Sequence, residues 1–568
     1  MDKLIGEVMN KLIQTAFLFA LTALVAFGQI TGEVRGLVLD ASGAAMSGAK
    51  VQVINPATGE TRSLITGAEG RFNAPLLSIG DYDVKAESAG FRTMSTRATV
   101  KTGEIASIVF KMEVGQVTES VTVSGAVSQL DTENAQIQTA IVGEKIQEIP
   151  VNRNPNLFAL TSPGIAPVSA NNPFLGSGSF NSNGGRGRGN NITVDGISAT
   201  DVSVTGTGGP LGPLNFSSIA EVKVITNNFS AEYGRNSSAQ MMYITKNGTN
   251  GLHGELYEYL QNDKLNARPF FDRTGKTNVV RQNSYGYSLG GPVYIPKVVD
   301  ARNKLFWFTD YEGFKLRGAG AARIAQVPTA AQLALVTDPT SKALLDQYKL
   351  PAAESTAGGI GTVQQQAGTL TNSYQLAVRG DWNISDRDKL WVRYSRFNQS
   401  SASSGLTFIG TNLANFGAVS TNSPRQATLA QTHTIGTSAV NEFRFGFGRS
   451  LPNFTIDSTV PLGPRIGFND GSIASFGVWE GLPQGREQNT YQFTDNFSFT
   501  KGRHNLKTGF EYFHLAADSV FDALQRPLFA FNNWNDFATG QPFQVTQRFG
   551  SSVRSNRVND KVCIGGRV

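Results

Sequence analysis

The feature that most constrains the fold of this chain is a period-two alternation of aromatic and polar side chains in its second half. Because alternate residues of a β-strand point to opposite faces, each such segment predicts a strand with one apolar and one polar face. The aromatic residues lie near both ends of the segments, where a membrane barrel places its interfacial girdles and a soluble sandwich seldom needs them. We therefore expect a lipid-facing wall of strands. The clearest segments alternate Tyr374, Leu376, Val378 and Trp382 with Gln375, Arg379 and Asp381, then Phe443, Phe445 and Phe447 with Glu442 and Arg444, then Tyr491, Phe493, Phe497 and Phe499 with Gln492, Thr494, Asn496 and Ser498.

The long apolar run near the N-terminus, residues 16–27, follows Lys11 and ends among small residues. This pattern predicts an export signal over residues 1–28, with Met9 as the true start because acidic residues precede it. A membrane anchor is the alternative, although the run is shorter than the roughly 20 residues that a spanning helix needs. Since no other long apolar run follows, any further membrane span must be made of β-strands.

Length, charge and cysteine content narrow the class of protein. A chain of 568 residues exceeds what one hydrophobic core usually organises, which predicts about two to four domains. The formal net charge of +6 comes from lysines and arginines scattered among carboxylates, so we expect no nucleic-acid partner. The single cysteine, Cys563, excludes an intramolecular disulfide and a cysteine-based metal site.

The first mature unit, residues 31–114, contains short β-rich runs separated by glycine-containing turns. Aromatic residues follow several of these glycines, as in Gly70-Arg71-Phe72, Gly80-Asp81-Tyr82 and Gly90-Phe91. These blocks, together with residues 36–40 and 48–51, resemble the carboxypeptidase regulatory-like domain family, which implies a transthyretin-like β-sandwich without catalytic activity. We expect the glycines to occupy positive-φ turns and the aromatic residues to enter the core. A ligand-binding module is the alternative.

Residues 125–247 contain an ordered series of short blocks that resembles the plug of TonB-dependent receptors, particularly the Oar-like group. The resemblance implies an α+β plug domain in which the motif residues are structural. Asp195-Gly196 lies between apolar residues and predicts a two-residue hairpin turn. The segment 236–243 departs from the family pattern, which leaves the packing of that strand open. The motif residues are Asn190, Asn191, Asp195, Gly196, Glu232, Tyr233, Gly234 and Arg235.

Two further segments near the plug have alternative interpretations. Residues 115–124 form a linker, and the resemblance makes part of it a candidate contact segment for the energy-transducing partner TonB. A last sandwich strand is the other interpretation, because any exposed run of valine and threonine looks the same. The Arg-Gly cluster 184–189 is expected to supply arginines that pair with carboxylates of the barrel wall rather than to bind RNA or an anion. The candidate TonB contact residues are Val117, Thr118, Glu119, Ser120, Val121, Thr122 and Val123.

From residue 251 to 568 the sequence predicts an antiparallel transmembrane β-barrel that is incomplete at its C-terminus. About ten strands follow residue 250, whereas the large plugged transporters need about 22. The segment 561–568 lacks strand alternation, so we expect a truncation, a frameshift or a fragmentary gene model. The long loop 319–371 is polar and shows no convergent chemistry. The family resemblance continues through Phe270-Phe271-Asp272, Leu289-Gly290-Gly291-Pro292, Tyr311-Glu312-Gly313, Asn441-Glu442-Phe443-Arg444 and residues 502–509.

No enzymatic motif is found, and we expect no catalytic residue, cofactor or metal. Gly275-Lys276-Thr277 lacks the upstream P-loop glycine, and His253 has no HExxH companion. The resemblance to TonB-dependent receptors implies an outer-membrane transporter, and we expect its plug and sandwich on the periplasmic side. The implied partners are outer-membrane lipid, TonB with the inner-membrane energising complex, and an unidentified substrate. The alternative function is a surface or adhesion protein of the Oar type without active import.

Overall fold

The computed structural model describes residues 31–115, 120–122, 135–143, 145–149, 154–168, 179–200, 214–234, 237–267, 279–319, 323–366, 368–403, 413–414, 416–502, 504–520, 524–549 and 554–567. The predicted export signal over residues 1–28, residues 116–119, 123 and 124 of the linker, and Arg235 of the plug motif lie outside these ranges. Among the described residues, no helix combines the length and apolar character that a membrane crossing requires.

The N-terminal unit is a sandwich of two sheets with strand orders β4-β1-β7 and β3-β2-β5-β6-β8. Its core contains Phe72 and Phe110, whose rings stack with centroids 6.4 Å apart, and the fully buried Tyr82. Gly70, Gly80 and Gly90 have the positive φ that the sequence predicted, whereas Gly36 lies within a strand where a β-carbon would collide with the Phe72 ring. The strands are β1 (Gly32–Leu39), β2 (Lys50–Ile54), β3 (Thr61–Ile65), β4 (Arg71–Leu77), β5 (Gly80–Glu87), β6 (Thr93–Val100), β7 (Ile105–Lys111) and β8 (Ser120–Thr122).

The second unit is built on a five-stranded sheet with the order β13-β12-β15-β14-β9. The atypical segment after the motif residues forms the middle strand β15, every residue of which is buried. The strands are β9 (Ile137–Val142), β10 (Ile165–Pro167), β11 (Phe180–Ser182), β12 (Asn191–Val194), β13 (Ile197–Ser198), β14 (Ile219–Asn227) and β15 (Gln240–Thr245), with helix α1 (Lys145–Glu148) and 3₁₀ turns Pro155–Thr161, Gly187–Gly189 and Phe216–Ser218.

The third unit is a sheet of twelve strands in the described residues. Ten of them are long and two, β25 and β28, are short, in agreement with the expected number. The elements are β16 (His253–Asn262), β17 (Val280–Pro292), β18 (Tyr294–Ile295), β19 (Val299–Asp300), β20 (Leu305–Ala319), β21 (Arg323–Gln326), α2 (Ala330–Ala334), α3 (Pro339–Tyr348), β22 (Thr362–Gln365), β23 (Gly368–Asn383), β24 (Asp388–Ser403), β25 (Ala418–Asn422), β26 (Arg425–Ile435), β27 (Ala439–Ser450), β28 (Asn453–Ile456), β29 (Arg465–Phe468), β30 (Gln484–Lys501), β31 (His504–Val520), β32 (Leu528–Phe531), α4 (Trp534–Ala538), β33 (Gln544–Thr546) and β34 (Arg554–Arg567), with 3₁₀ turns Asp263–Leu265 and Ala357–Gly359.

In this sheet the polar face is buried and the aromatic face is exposed, which is the reverse of the arrangement in a soluble protein. Polar residues such as Gln492 and Thr494 of β30 are buried, and Gln492 contacts the plug, whereas Tyr491 and Phe493 on the opposite face are 37% and 38% exposed. The same division holds in β27, where Arg444 is fully buried. An outward aromatic face and an inward polar face are what a lipid-facing barrel wall requires.

The edges of the twelve-stranded sheet lie at β16 and β34. Within the described residues, β16 pairs only with β17 and β34 pairs only with β31. Residues 561–567, in which the sequence shows no strand alternation, nevertheless belong to β34. Their backbone pairs antiparallel with Lys507–Phe513, and this pairing needs no side-chain alternation.

The two ends of the sheet differ in the length of their connections. Short turns join β23 to β24, β26 to β27 and β30 to β31, whereas the opposite end carries the long connections. Barrels of the bacterial outer membrane have short periplasmic turns and longer extracellular loops. We refer below to the short-turn end and the long-loop end of the wall.

The long connections fold together into one cap with its own hydrophobic core. Tyr348, Phe476 and Phe537 are buried in this core although they come from different connections. The Trp534 indole donates to the Gln332 carbonyl (2.9 Å), and the Ala474 N–H donates to the Gln326 carbonyl (2.9 Å). The expectation of a merely polar loop over residues 319–371 is therefore wrong, because its scattered apolar residues find partners in distant connections.

Candidate functional site

The plug meets the barrel wall first at the β12–β13 turn. Asp195 and Gly196 have φ values of 49° and 79°, and Val194 pairs with Ile197 across the turn, which confirms the predicted hairpin. Asp195 is fully buried, and its carboxylate accepts the Thr245 N–H (2.9 Å) and hydroxyl (2.8 Å). The turn is thereby tied to the end of β15.

The same carboxylate forms an ion pair with the wall. Arg393 of β24 lies with its Nε 3.6 Å from an Asp195 oxygen, and both side chains are buried. A second wall arginine, Arg379, contacts Thr245 at 3.4 Å, pairs with Asp381 at 2.7 Å and stacks over the Trp391 ring. The plug thus provides the carboxylate and the wall provides the arginines.

The charges are placed the opposite way from the expectation for the Arg-Gly cluster, in which the plug would provide arginines and the wall would provide carboxylates. The Arg186 side chain is exposed and belongs to none of the ion pairs of the described residues, while nothing of the Arg188 side chain is described. Pairing of Arg186 with wall carboxylates is therefore wrong. The segment instead folds on itself, since the Arg186 carbonyl accepts the Gly189 N–H (2.8 Å).

The tip of the hairpin fits against two neighbouring wall strands. The Gln492 side chain of β30 accepts the Ser198 N–H (3.0 Å) and donates to the Gly196 carbonyl (3.2 Å). On β27, a β-carbon at Gly446 would lie 2.4 Å from the Ile197 side chain, so the wall needs glycine there. Hydrogen bonding and steric fit both fix the position of the tip.

Asn190 and Asn191 act within the plug. The Asn190 amide donates to the Phe180 carbonyl (2.7 Å) and accepts the Ala239 N–H (3.0 Å). The Asn191 side-chain oxygen accepts the Thr200 hydroxyl (3.1 Å). Both residues are buried, so their contacts organise the strands around the hairpin.

Glu232, Tyr233 and Gly234 follow β14, and the neighbours of the first two belong to β31 and the sandwich. Glu232 is buried and lies 4.0 Å from the Lys507 ammonium of β31. The Tyr233 hydroxyl lies next to Gly103 of the sandwich, where a β-carbon would come within 3.1 Å of it. Gly234 is half-buried. The motif residues therefore act at three places: Asp195 and Gly196 contact the wall, Asn190 and Asn191 act inside the plug, and Glu232 and Tyr233 lie near β31 and the sandwich.

The candidate TonB contact segment is described only over Ser120–Thr122. These residues form β8, which pairs in parallel with Thr93–Ser95 at the edge of the sandwich. This position matches the alternative of a last sandwich strand. Contact with TonB stays a prediction.

A cavity of about 370 Å³ lies where the sandwich, plug and wall meet. Its lining includes Glu60 and Asp81 of the sandwich, Thr245 of the plug, and Lys389 and Trp391 of the wall. Lys389 and Glu60 form an ion pair across the cavity. In the part of the chain that the structure describes, no cluster of three or more His, Cys, Asp or Glu residues is placed to hold a metal ion.

Comparison with known families agrees with this architecture. A model of the outer membrane beta barrel domain matches residues 244–561, more than half of the chain. The chain belongs to the outer membrane β-barrel domain family. A TonB-dependent receptor plug domain model matches residues 131–239, and a carboxypeptidase regulatory-like domain model matches residues 33–113. The predicted resemblances are confirmed, and this β-barrel protein is an outer-membrane protein with TonB-dependent receptor architecture.

Individual relatives of the β-barrel chain are receptors and transporters. The TonB-dependent transporter Oar of Myxococcus xanthus is 24% identical over 302 residues, which cover 50% of this chain and 27% of that protein. Among solved structures, the outer membrane transporter YddB of Escherichia coli has 14% identity and a TM-score of 0.47, over 75% of this chain and 53% of that one. The siderophore receptor PirA of Acinetobacter baumannii has 12% identity and a TM-score of 0.43, over 67% and 48%. The chain spans about a quarter of the length of the curated relative and about half of these structures.

Sequence reasoning missed the wall residues of this β-barrel that hold the plug. Arg393, Gln492 and Gly446 do not belong to the blocks that carried the resemblance. Gln492 and Arg444 stood in the polar set of the alternation, which was the available indication that they face inward. A single sequence contains nothing that pairs Arg393 with Asp195.

Proposed function

We propose that this chain is the plugged-barrel part of a TonB-dependent transporter that imports a substrate across the outer membrane and has no catalytic activity of its own. One observation carries the proposal: buried hydrogen bonds and ion pairs hold the plug hairpin to the wall, as between Asp195 and Arg393 and around Gln492. Water can replace such contacts when the two surfaces separate, whereas exposing a large apolar interface would cost free energy in proportion to its area. A polar interface is thus suited to a plug that must move.

In this proposal the substrate enters from the long-loop end, and an inner-membrane complex with TonB acts from the short-turn end. The plug and the sandwich then face the periplasm, and residues 117–123 are the contact segment for TonB. The motif residues from Asn190 to Arg235 have structural roles. We divide the chain into a signal peptide (1–28), sandwich (31–114), linker (115–124), plug (125–247) and barrel (251–568).

Replacing residues 117–123 with a glycine-serine segment of equal length tests the proposal. Uptake would be measured in cells with a panel of labelled oligosaccharides, ferric siderophores, cobalamin and short peptides. We expect at least a tenfold loss of uptake of any panel member that the unaltered protein imports, with an unchanged amount of protein in the outer membrane. A glycine-serine replacement of the four residues in the exposed turn 41–44 is the control and should leave uptake intact.

A surface or adhesion role is the second candidate, and the folded cap favours it. A globule with a shared aromatic core at the long-loop end is a firm platform for contact with another surface. If the replaced segment leaves uptake unchanged, import driven through this segment is excluded. Loss of surface attachment after deletion of the cap would then support the second candidate.

A further inference from the structure

The sandwich inserts one turn into the plug. Thr102, between β6 and β7, is fully buried, and its N–H lies 3.1 and 3.2 Å from the two carboxylate oxygens of Glu221. The Lys223 ammonium donates to the carbonyl of the same residue. Since Glu221 and Lys223 are two positions apart on β14, their side chains leave the same face and bind both polar groups of Thr102.

The next residue of this turn, Gly103, has no room for a side chain. Its φ is +61°, and a β-carbon would lie 2.9 Å from the Lys223 ammonium and 3.1 Å from the Tyr233 hydroxyl. The turn therefore fits the plug closely.

The sandwich is also fixed to the short-turn end of the wall. The Asn73 amide donates to Thr500 (3.1 Å) and Asn505 (2.9 Å) beside the β30–β31 turn. Glu33 lies 3.6 Å from Lys507 of β31, the lysine that also faces Glu232 of the plug. The sandwich, plug and wall therefore meet at Lys507.

A second anchor lies several strands away from the first. Glu60 of the sandwich pairs with Lys389 at the start of β24, and the Ala57 carbonyl accepts the Asn250 N–H (2.8 Å) of the connection between plug and wall. The anchors at β24 and β31 place the sandwich across the end of the wall from which the plug would leave. Its inserted turn then opposes movement of the plug in that direction.

We infer that the N-terminal sandwich is a latch, which retains the plug in the wall until Thr102 leaves the clamp formed by Glu221 and Lys223. The clamp suits a reversible latch because water can solvate both charges once the turn withdraws, so release does not strand a charge in an apolar site. The consequence for transport rests on the proposed function. The coupling between sandwich and plug does not depend on the proposed function, and it can be measured without a substrate.

Hydrogen–deuterium exchange of the full chain in detergent micelles tests the latch. In Gly103→Leu the inserted turn cannot enter the plug, so we expect the β14 and β15 amides to exchange at least tenfold faster. The matched control is Gly43→Leu, at a sandwich turn with φ +89° and open space around it, where plug exchange should not change. Equal plug exchange in Gly103→Leu and the unaltered chain would overturn the inference.

A disulfide between the sandwich and the wall provides a second test that leaves the plug untouched. Asn73→Cys with Asn505→Cys, in a Cys563→Ser chain, replaces side chains whose atoms lie 2.9 Å apart. We expect the oxidised form to slow β14 exchange at least threefold relative to its reduced form. Identical exchange in the oxidised and reduced forms would reject the latch, whatever the result of the uptake experiment.

Discussion

At the scale of single residues, the contacts between plug and wall depend on charges that are buried on both sides. Asp195 accepts two hydrogen bonds from Thr245 inside the plug, but its ionic partner, Arg393, belongs to the wall. A buried ion pair contributes little net stability compared with an apolar pair of the same size, yet removing one partner is costly. The pair therefore specifies where the plug sits.

Arg393→Met is the first residue-scale prediction. It leaves the Asp195 carboxylate buried without its ionic partner, and we expect a loss of about 3 kcal/mol in the free energy of opening the plug. The measurement is the urea dependence of amide exchange in β12 and β15. Arg302→Ala, which breaks an exposed pair with Asp300, is the control and should leave this dependence unchanged. A plug equally protected in Arg393→Met and the unaltered chain would show that the pair does not hold the hairpin.

At the scale of elements, alternation predicted the long strands well, because one polar and one apolar face leave a period of two in the sequence. The hairpin at Asp195 was predictable for a similar local reason, the turn chemistry of Asp-Gly. Strand β34 and the cap could not be predicted from the sequence. Strand β34 depends on backbone pairing with β31, and the cap joins Tyr348, Phe476 and Phe537 from separate connections without any repeating pattern.

The cap supplies the element-scale prediction. Phe537 is fully buried and makes edge contacts with Phe476 and Phe531, so Phe537→Ala should destabilise the cap by about 3–5 kcal/mol. The ten long wall strands should be unaffected, because they contribute no residue to this core; among the wall strands only the short β25 and β28 pack against it, through residues such as Ala418 and Phe454. Limited proteolysis of residues 323–366 would report the change, and Phe543→Ala, at a residue 64% exposed, is the control. Equal cleavage rates in the two variants would show that the connections do not fold as one unit.

At the scale of the whole molecule, the cap lies at the long-loop end and the sandwich at the short-turn end, with the plug between them. The connection of plug to sandwich includes a buried carboxyl. Burial raises the pKa of Glu221, and the smaller effects of Thr102 and Lys223 oppose this rise. The contact between sandwich and plug should therefore depend on pH.

Since the Glu221 pKa is higher in the folded state, the folded state takes up the proton more readily than the unfolded state. The contact is then most stable below the unfolded pKa of about 4.3 and weakens as the pH rises from there through the folded pKa. Glu221→Gln should remove this part of the pH dependence, measured as the urea midpoint of β14 protection across that range. Glu148→Gln, at an exposed carboxyl of the same unit, should retain it. A Glu221→Gln curve parallel to that of the unaltered chain would contradict the assignment.

The glycine at position 446 affects how the plug returns to the wall after each displacement. Ile197 fills the notch that this glycine leaves in β27, so a plug turned about the barrel axis would bring Ile197 against a neighbouring side chain. A plug that has been displaced must therefore return in one rotational setting. The return of the plug therefore has a geometric requirement of its own: Ile197 must face Gly446 before the plug can bind the wall again.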